Sequence, residues 1–177
     1  MSLRATAAQA VSLVLVSASL PAAPAPPASA GGIAWTVPAR WTAGAGSAMR
    51  VATYDVPAAK AAEKGECAVF FFGPGQGGGV DDNVARWAKQ FEGAPKAERT
   101  TATVAGLRVT RAAVGGTYLA PGGPMMSSTG KKAGYRLLGA IVEAPAGNVF
   151  FKLTGPAATI AAAQADFDAL VASIRKK

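Results

Sequence analysis

A glycine-rich segment has the spacing of a phosphate-binding loop. Gly73, Gly75 and Gly78 satisfy G-x-G-x-x-G within CAVFFFGPGQGGGVDDNVARW, residues 67–87. A dinucleotide site also needs a second parallel strand that ends in an acidic residue, and a phosphate loop needs a lysine. Here the loop has no lysine, a hairpin is predicted after the helix, and two carboxylates would face the phosphates. We therefore interpret the glycines as a loop without a cofactor.

The two carboxylates are Asp81 and Asp82, which Asn83 follows, and they are candidates for half of a divalent-cation site. Calcium prefers clustered oxygen ligands, but the EF-hand spacing is absent and helix capping explains the same residues. The chain has 10 acidic residues, so a carboxylate-dependent hydrolase stays open. Histidine is absent, which excludes Ser-His and Cys-His nucleophile pairs and every histidine-containing metal site.

Charge and cysteine content limit the partners further. The formal net charge is +8, which suits contact with acidic surfaces or anionic polymers. The basic residues are scattered and do not alternate with aromatic residues, so the sequence gives no support for nucleic-acid binding. Cys67 is the single cysteine, which excludes a disulfide within one chain, and its apolar surroundings favour a buried thiol.

The first 30 residues have the pattern of a signal peptide. Arg4 precedes the apolar run 10–20, and Ala28-Ser29-Ala30 is an A-x-A cleavage signal. The apolar run is too short for a membrane-spanning helix, and no other stretch is long enough. We therefore expect cleavage after Ala30, export to the periplasm or the extracellular space, and a single domain over residues 31–177.

Hydrophobic periodicity predicts the elements of that domain. Alternating or continuously apolar runs predict seven strands, and Ala144-Pro145-Ala146-Gly147 predicts a tight turn between the last two. Apolar stripes predict two helices, the second with Pro156 at its first position. A Gly/Pro/Ser-rich connection is expected over residues 115–134. The strands are predicted at residues 33–37, 49–56, 67–72, within 99–113 on either side of Ala105-Gly106, and at 135–143 and 148–154, and the helices at 81–92 and from 156 to about 174.

Strands joined by short turns predict a mainly antiparallel sheet. Strands that are apolar on both faces require a layer on each side, so we predict a single-domain α/β/α sandwich of the α+β class. The order resembles the PsbP-like fold, through the opening IAWTVPARW, the hairpin GYRLLGAIVEAPAGNVFFKLTGP and the closing FDALVASI. The core ECAVFFFG with its later GG and RW is also similar to exported bacterial proteins of an uncharacterised family. The PsbP-like resemblance implies a six- or seven-stranded antiparallel sheet between helices and a mostly non-catalytic accessory or binding role.

These features predict an exported, non-enzymatic binding or accessory protein without a cofactor. We expect it to dock on another envelope protein through Met125, Met126, Lys131 and Lys132, since adjacent methionines make adaptable apolar contacts. Two alternatives stay open. One is a carboxylate- or metal-dependent hydrolase, and the other is a binder of a small anionic ligand or an envelope polymer.

Overall fold

The computed structural model describes residues 28–60, 62–120 and 130–177. Its helices are α1 (Val80–Ala88) and α2 (Ala157–Ala172), and neither is long and apolar enough to cross a membrane. The strands are β1 (Ala28–Ala30), β2 (Ile33–Trp35), β3 (Thr42–Ala43), β4 (Ala52–Val56), β5 (Gly65–Phe71), β6 (Glu98–Val104), β7 (Leu107–Ala120), β8 (Gly130–Ala144), β9 (Gly147–Pro156) and β10 (Arg175–Lys176).

Seven strands form one sheet in the order β3-β4-β5-β9-β8-β7-β6, and each neighbouring pair is antiparallel. The predicted turn closes the β8–β9 hairpin, where Ala144 pairs with Gly147. Three short strands form a second sheet in the order β1-β2-β10. The predicted α+β class and mainly antiparallel sheet are confirmed. The predicted opening strand lies in the second sheet instead of the first.

Helix α2 covers one face of the large sheet. Strand residues that alternate along β8 and β9, such as Leu138 and Phe151, pack against it because every second side chain points to the same face. The Trp35 ring meets Phe151 edge to face, with ring centroids 5.0 Å apart. Cys67 is fully buried in this core, as its apolar surroundings predict. The helix contributes Ile160, Ala163, Phe167, Leu170 and Val171.

Helix α1 covers only part of the opposite face. Its Trp87 is 5% exposed and lies directly over Gly139 of β8, where a side chain would collide with the indole ring. Phe91, just beyond the helix, packs on Tyr118 of β7 with ring centroids 5.3 Å apart. Helix α1 has nine residues and packs mainly against β7 and β8. Part of this face is therefore left to form a pocket.

The predicted connection over residues 115–134 is wrong at both ends. Strand β7 continues to Ala120 and β8 begins at Gly130. Glycine and polar residues weaken a strand signal in the sequence, but tertiary contacts decide here. The amide of Leu119 donates a hydrogen bond to the carbonyl of Gln90, and the amide of Glu92 donates one to the carbonyl of Thr117.

Both helices also begin differently from the prediction. Gly79 is the residue before α1, and Asp81 and Asp82 lie in its first turn without capping it. Instead, the Asn83 side-chain amide donates hydrogen bonds to the carbonyls of Gly77 and Gly79, 2.8 Å away in each case. Pro156 precedes α2 as its N-cap and is not its first helical residue.

Candidate functional site

A pocket of about 780 Å³ opens on the α1 side of the large sheet, beyond the reach of the helix. Strands β4, β5, β7, β8 and β9 supply most of its lining, so rigid backbone sets its shape. Its residues are Ala45, Arg50, Asp55, Glu63, Lys64, Gly65, Glu66, Ala68, Phe70, Tyr118, Ala120, Lys132, Tyr135, Lys152, Thr154 and Gly155.

Lys152 lies near the middle of the pocket floor, on the central strand β9. Its cross-strand neighbours are Ala68 on β5 and Gly139 on β8, and the Trp87 ring lies over Gly139. The amine donates a hydrogen bond to the Tyr118 hydroxyl at 3.4 Å and lies 5.7 Å from the centroid of that ring. Burial, which penalises the charged form, lowers the pKa of Lys152 to about 8 against a smaller opposing effect of the Glu66 carboxylate.

Two tyrosines form an aromatic wall above this lysine. The rings of Tyr118 and Tyr135 are stacked, with centroids 5.8 Å apart and planes 5° from parallel. Burial raises the pKa of Tyr118 to about 12, so its hydroxyl stays protonated at neutral pH. The Lys132 amine lies 5.3 Å from the centroid of the Tyr135 ring.

A bulge in β8 brings a further cation to the pocket. Thr117 of β7 lies opposite two β8 residues, Ala133 and Gly134, and Gly134 has a φ of +66°. The extra residue reverses the alternation of side chains beyond it. Lys132 therefore faces the same side as Tyr135, whose hydroxyl accepts a hydrogen bond from the lysine amine at 3.1 Å.

Three of the four cations that line the pocket are held by carboxylates. The Nη1 atom of Arg50 lies 2.9 Å from Glu66 Oε1 and Lys64 Nζ lies 2.7 Å from Asp55 Oδ2.

The third pair, Lys132 with Glu63, has an N–O distance of 2.8 Å. The Tyr135 hydroxyl also donates to Glu63, at 2.6 Å. The hydrogen bond from Lys132 lowers the pKa of the Glu63 carboxyl, and the same contact raises the pKa of Lys132. Within residues 28–60, 62–120 and 130–177, no carboxylate forms an ion pair with Lys152.

The residues that the sequence predicted as a docking surface separate in the structure. Lys132 lines the pocket, whereas the Lys131 amine forms an ion pair with Glu92 beyond α1. Met125 and Met126 lie outside the described residues. Lys152, Tyr118 and Tyr135 were missed. The sequence signal that could have indicated Lys152 is its position as the one charged residue of the largely apolar strand NVFFKLT. A charge in such a strand must lie on an open part of the sheet or be paired.

The glycine loop and the two aspartates form a separate region. The hydrogen bonds from Asn83 close the loop against the start of α1, and Asp81 forms an ion pair with Arg99 of β6. Across the described ranges, no three acidic or cysteine residues come close enough together to hold a metal ion.

A smaller cavity of about 270 Å³ lies beside α2 and is lined in part by arginines. Arg111 forms an ion pair with Asp168 of the helix, and Arg136 Nη2 lies 3.8 Å from Glu98 Oε2. Because carboxylates already occupy these two guanidinium groups, the larger pocket is the stronger candidate site.

No protein-family model and no curated protein matches the sequence. Among solved structures, the chain is similar to PA94, a protein of unknown function from Pseudomonas aeruginosa. That match has a TM-score of 0.47 and 14% identity, over 68% of this chain and 78% of that one. A protein from Bacteroides thetaiotaomicron matches with a TM-score of 0.40 and 10% identity, over 85% of this chain and 47% of that one. This chain therefore spans about half of the length of the second protein.

Proposed function

We propose that this chain is an exported, non-enzymatic binding protein whose sheet-face pocket holds a small organic anion with a flat apolar part. The observation that carries the proposal is the position of Lys152, a cation on the pocket floor with no ion-pair partner among the described residues. A partly buried charge without a counter-ion is costly, and a bound anion would remove that cost. The stacked tyrosines offer the complementary apolar surface.

The carboxylates of the pocket support binding over hydrolysis. Asp55, Glu63 and Glu66 each form an ion pair with a basic residue, and the hydrogen bond from Lys132 lowers the pKa of Glu63. A glycosidase-type mechanism needs one carboxyl group that stays protonated. We also propose a PsbP-like fold, supported by the seven-stranded antiparallel sheet between two helices.

The proposal can be tested with 2-naphthoate, a flat carboxylate, titrated into ¹⁵N-labelled protein and followed by NMR. We expect the largest amide shifts at the pocket strands β5, β8 and β9. Replacing Lys152→Met should weaken binding at least tenfold, because a hydrogen bond to a charged group contributes about 1.5–3 kcal/mol and about 1.4 kcal/mol is tenfold.

Lys89→Met is the matched control, because it removes the same charge from an exposed lysine at the end of α1. It should bind 2-naphthoate like the unmodified protein. The uncharged 2-naphthamide should bind more weakly than the carboxylate. Equal affinity of the Lys152→Met variant and the unmodified protein for 2-naphthoate would contradict the proposal.

Docking on an envelope protein is a second candidate function. It is favoured by the position of Lys131 at the start of β8, where its side chain is 64% exposed. A pull-down from envelope extract should recover a partner with the unmodified protein. The partner should be lost when both Lys131 and Lys132 are replaced by alanine, but not with Lys89→Ala. Recovery of the same partner by the double variant would exclude this surface.

A further inference from the structure

Lys152 differs from an ordinary ligand-binding cation in its surroundings. Lys152 lines the pocket, and no carboxylate among the described residues forms an ion pair with it. Burial lowers its pKa to about 8, so about a tenth of the amine is neutral at pH 7. A neutral, accessible amine is a nucleophile, whereas an ammonium ion is not.

A proton carrier lies beside this amine. The Tyr118 hydroxyl is 3.4 Å from Lys152 Nζ, and its ring is held between Phe91 and Tyr135. Burial raises the pKa of Tyr118 to about 12, so the hydroxyl is protonated when a carbonyl compound enters the pocket. The pair has the groups that condensation of an amine with a carbonyl compound requires.

We propose that the pocket captures an aldehyde or ketone that carries a carboxylate, and that Lys152 binds its carbonyl carbon covalently as an imine. This inference rests on the proposed function, because it identifies the chemical class of the anion held in the same pocket. The ring stack of Tyr118 and Tyr135 then selects a planar ligand.

The reaction balances without an oxidant or a reductant. The neutral amine attacks the carbonyl carbon, forming a C–N bond, and the carbonyl oxygen becomes the hydroxyl of a carbinolamine. A proton passes from the nitrogen to this oxygen, and the Tyr118 hydroxyl gives the oxygen a second proton as the C–O bond breaks. The tyrosinate regains its proton from solvent, which received one when the ammonium became the neutral amine. Water leaves, so an ammonium and a carbonyl compound become a protonated imine and water. The protonated imine keeps the positive charge that holds the carboxylate of the ligand.

The test uses 4-carboxybenzaldehyde with cyanoborohydride, which reduces the imine to a stable secondary amine. The purified protein is digested and the labelled lysines are identified by mass spectrometry. We expect Lys152 to be labelled at least about tenfold faster than the exposed Lys89, since a pKa near 8 raises the neutral fraction of an amine. Tyr118→Phe keeps the ring stack but should slow labelling at Lys152 about tenfold or more, because it removes the proton carrier.

A binding measurement separates this inference from the proposed function. Titration of 2-naphthoate into the unmodified protein tests the proposed function by itself, and bound 2-naphthoate should slow labelling at Lys152. If 2-naphthoate binds in the pocket but Lys152 is labelled no faster than Lys89, covalent capture is overturned and the proposed function stands. Fast labelling of Lys152 that 2-naphthoate does not slow would also overturn it, because the amine would then react without a ligand in the pocket.

Discussion

Replacing Gly139→Ala should displace helix α1 from the sheet. A Cβ atom at this position would lie 2.0 Å from Trp87 Cζ3 and 2.6 Å from Trp87 Cε3. Carbon atoms in contact are about 3.5–4.0 Å apart, so the indole ring must move by about 1.5 Å. The ring is rigid and buried, and it cannot yield as a flexible side chain would. The whole of α1 therefore has to shift, or Trp87 must leave its site.

The expected loss in the free energy of unfolding lies between the costs of two known kinds of core substitution. Overpacking a core costs about 1–3 kcal/mol, and complete loss of a buried tryptophan side chain costs about 3–5 kcal/mol. Alanine also restricts the unfolded chain more than glycine does, and this effect stabilises the folded protein by about 0.5–1 kcal/mol. We expect a net loss of about 2–3 kcal/mol in the free energy of unfolding. For a domain of this size, the melting temperature should fall by about 4–12 °C.

Urea unfolding, followed by tryptophan fluorescence and circular dichroism, measures this loss. Gly115→Ala is the matched control, because the nearest atom to its added Cβ is the Tyr135 carbonyl oxygen at 3.7 Å. Its stability should stay within about 0.5 kcal/mol of the unmodified protein. In a Trp87→Leu background, Gly139→Ala should cost less than about 1 kcal/mol, since the smaller side chain relieves the collision. Equal losses with and without Trp87 would refute the reasoning.

Two further predictions concern buried titratable groups. Lys152 has a folded pKa of about 8 against an ordinary value of 10.5, so the unfolded chain binds more protons between these values and stability should rise with pH across that window. The Lys152→Met variant should therefore have a larger free energy of unfolding than the unmodified protein at pH 7, by at most about 3 kcal/mol. Urea unfolding at several pH values should show that this difference disappears near pH 10.5. An advantage that does not change with pH would contradict the assignment. Burial also raises the pKa of the Cys67 thiol, so a disulfide reagent such as DTNB should react with it only in denaturant, and fast reaction of the folded protein would show that the core opens.

The sequence predicted the fold where local and tertiary signals agree. The β8–β9 hairpin has apolar runs on both sides of a Pro-Ala-Gly turn, so its register followed from the pattern. The sequence predicts a connection over residues 115–134, because nothing local to this segment shows the hydrogen bonds with Gln90 and Glu92 that hold β7. The lengths of β7 and β8 in this region are therefore set by contacts with residues distant in the sequence.

The pocket could not be derived in the same way. Lys152, Tyr118 and Tyr135 come from three strands, and only the strand order brings them onto one face. The β8 bulge at Ala133 and Gly134 decides that Lys132 joins them, and sequence alternation predicts the opposite face. The sequence predicts Lys132 as a docking residue, whereas in the structure it lines the pocket.

The short strand β1 bears on the order of folding and cleavage in the exported chain that we propose. Ala28–Ala30 pairs with Ile33–Trp35 through the turn at Gly31 and Gly32, and the predicted cleavage follows Ala30 directly. A peptidase needs its substrate extended and unpaired, so this hairpin would hide the bond from the enzyme once it forms. Cleavage after Ala30 would then have to precede formation of the β1–β2 hairpin, and it would be fastest while the chain is still unfolded. A processed chain would leave one side of β2 without its strand partner, and a chain that folded first would keep both strands.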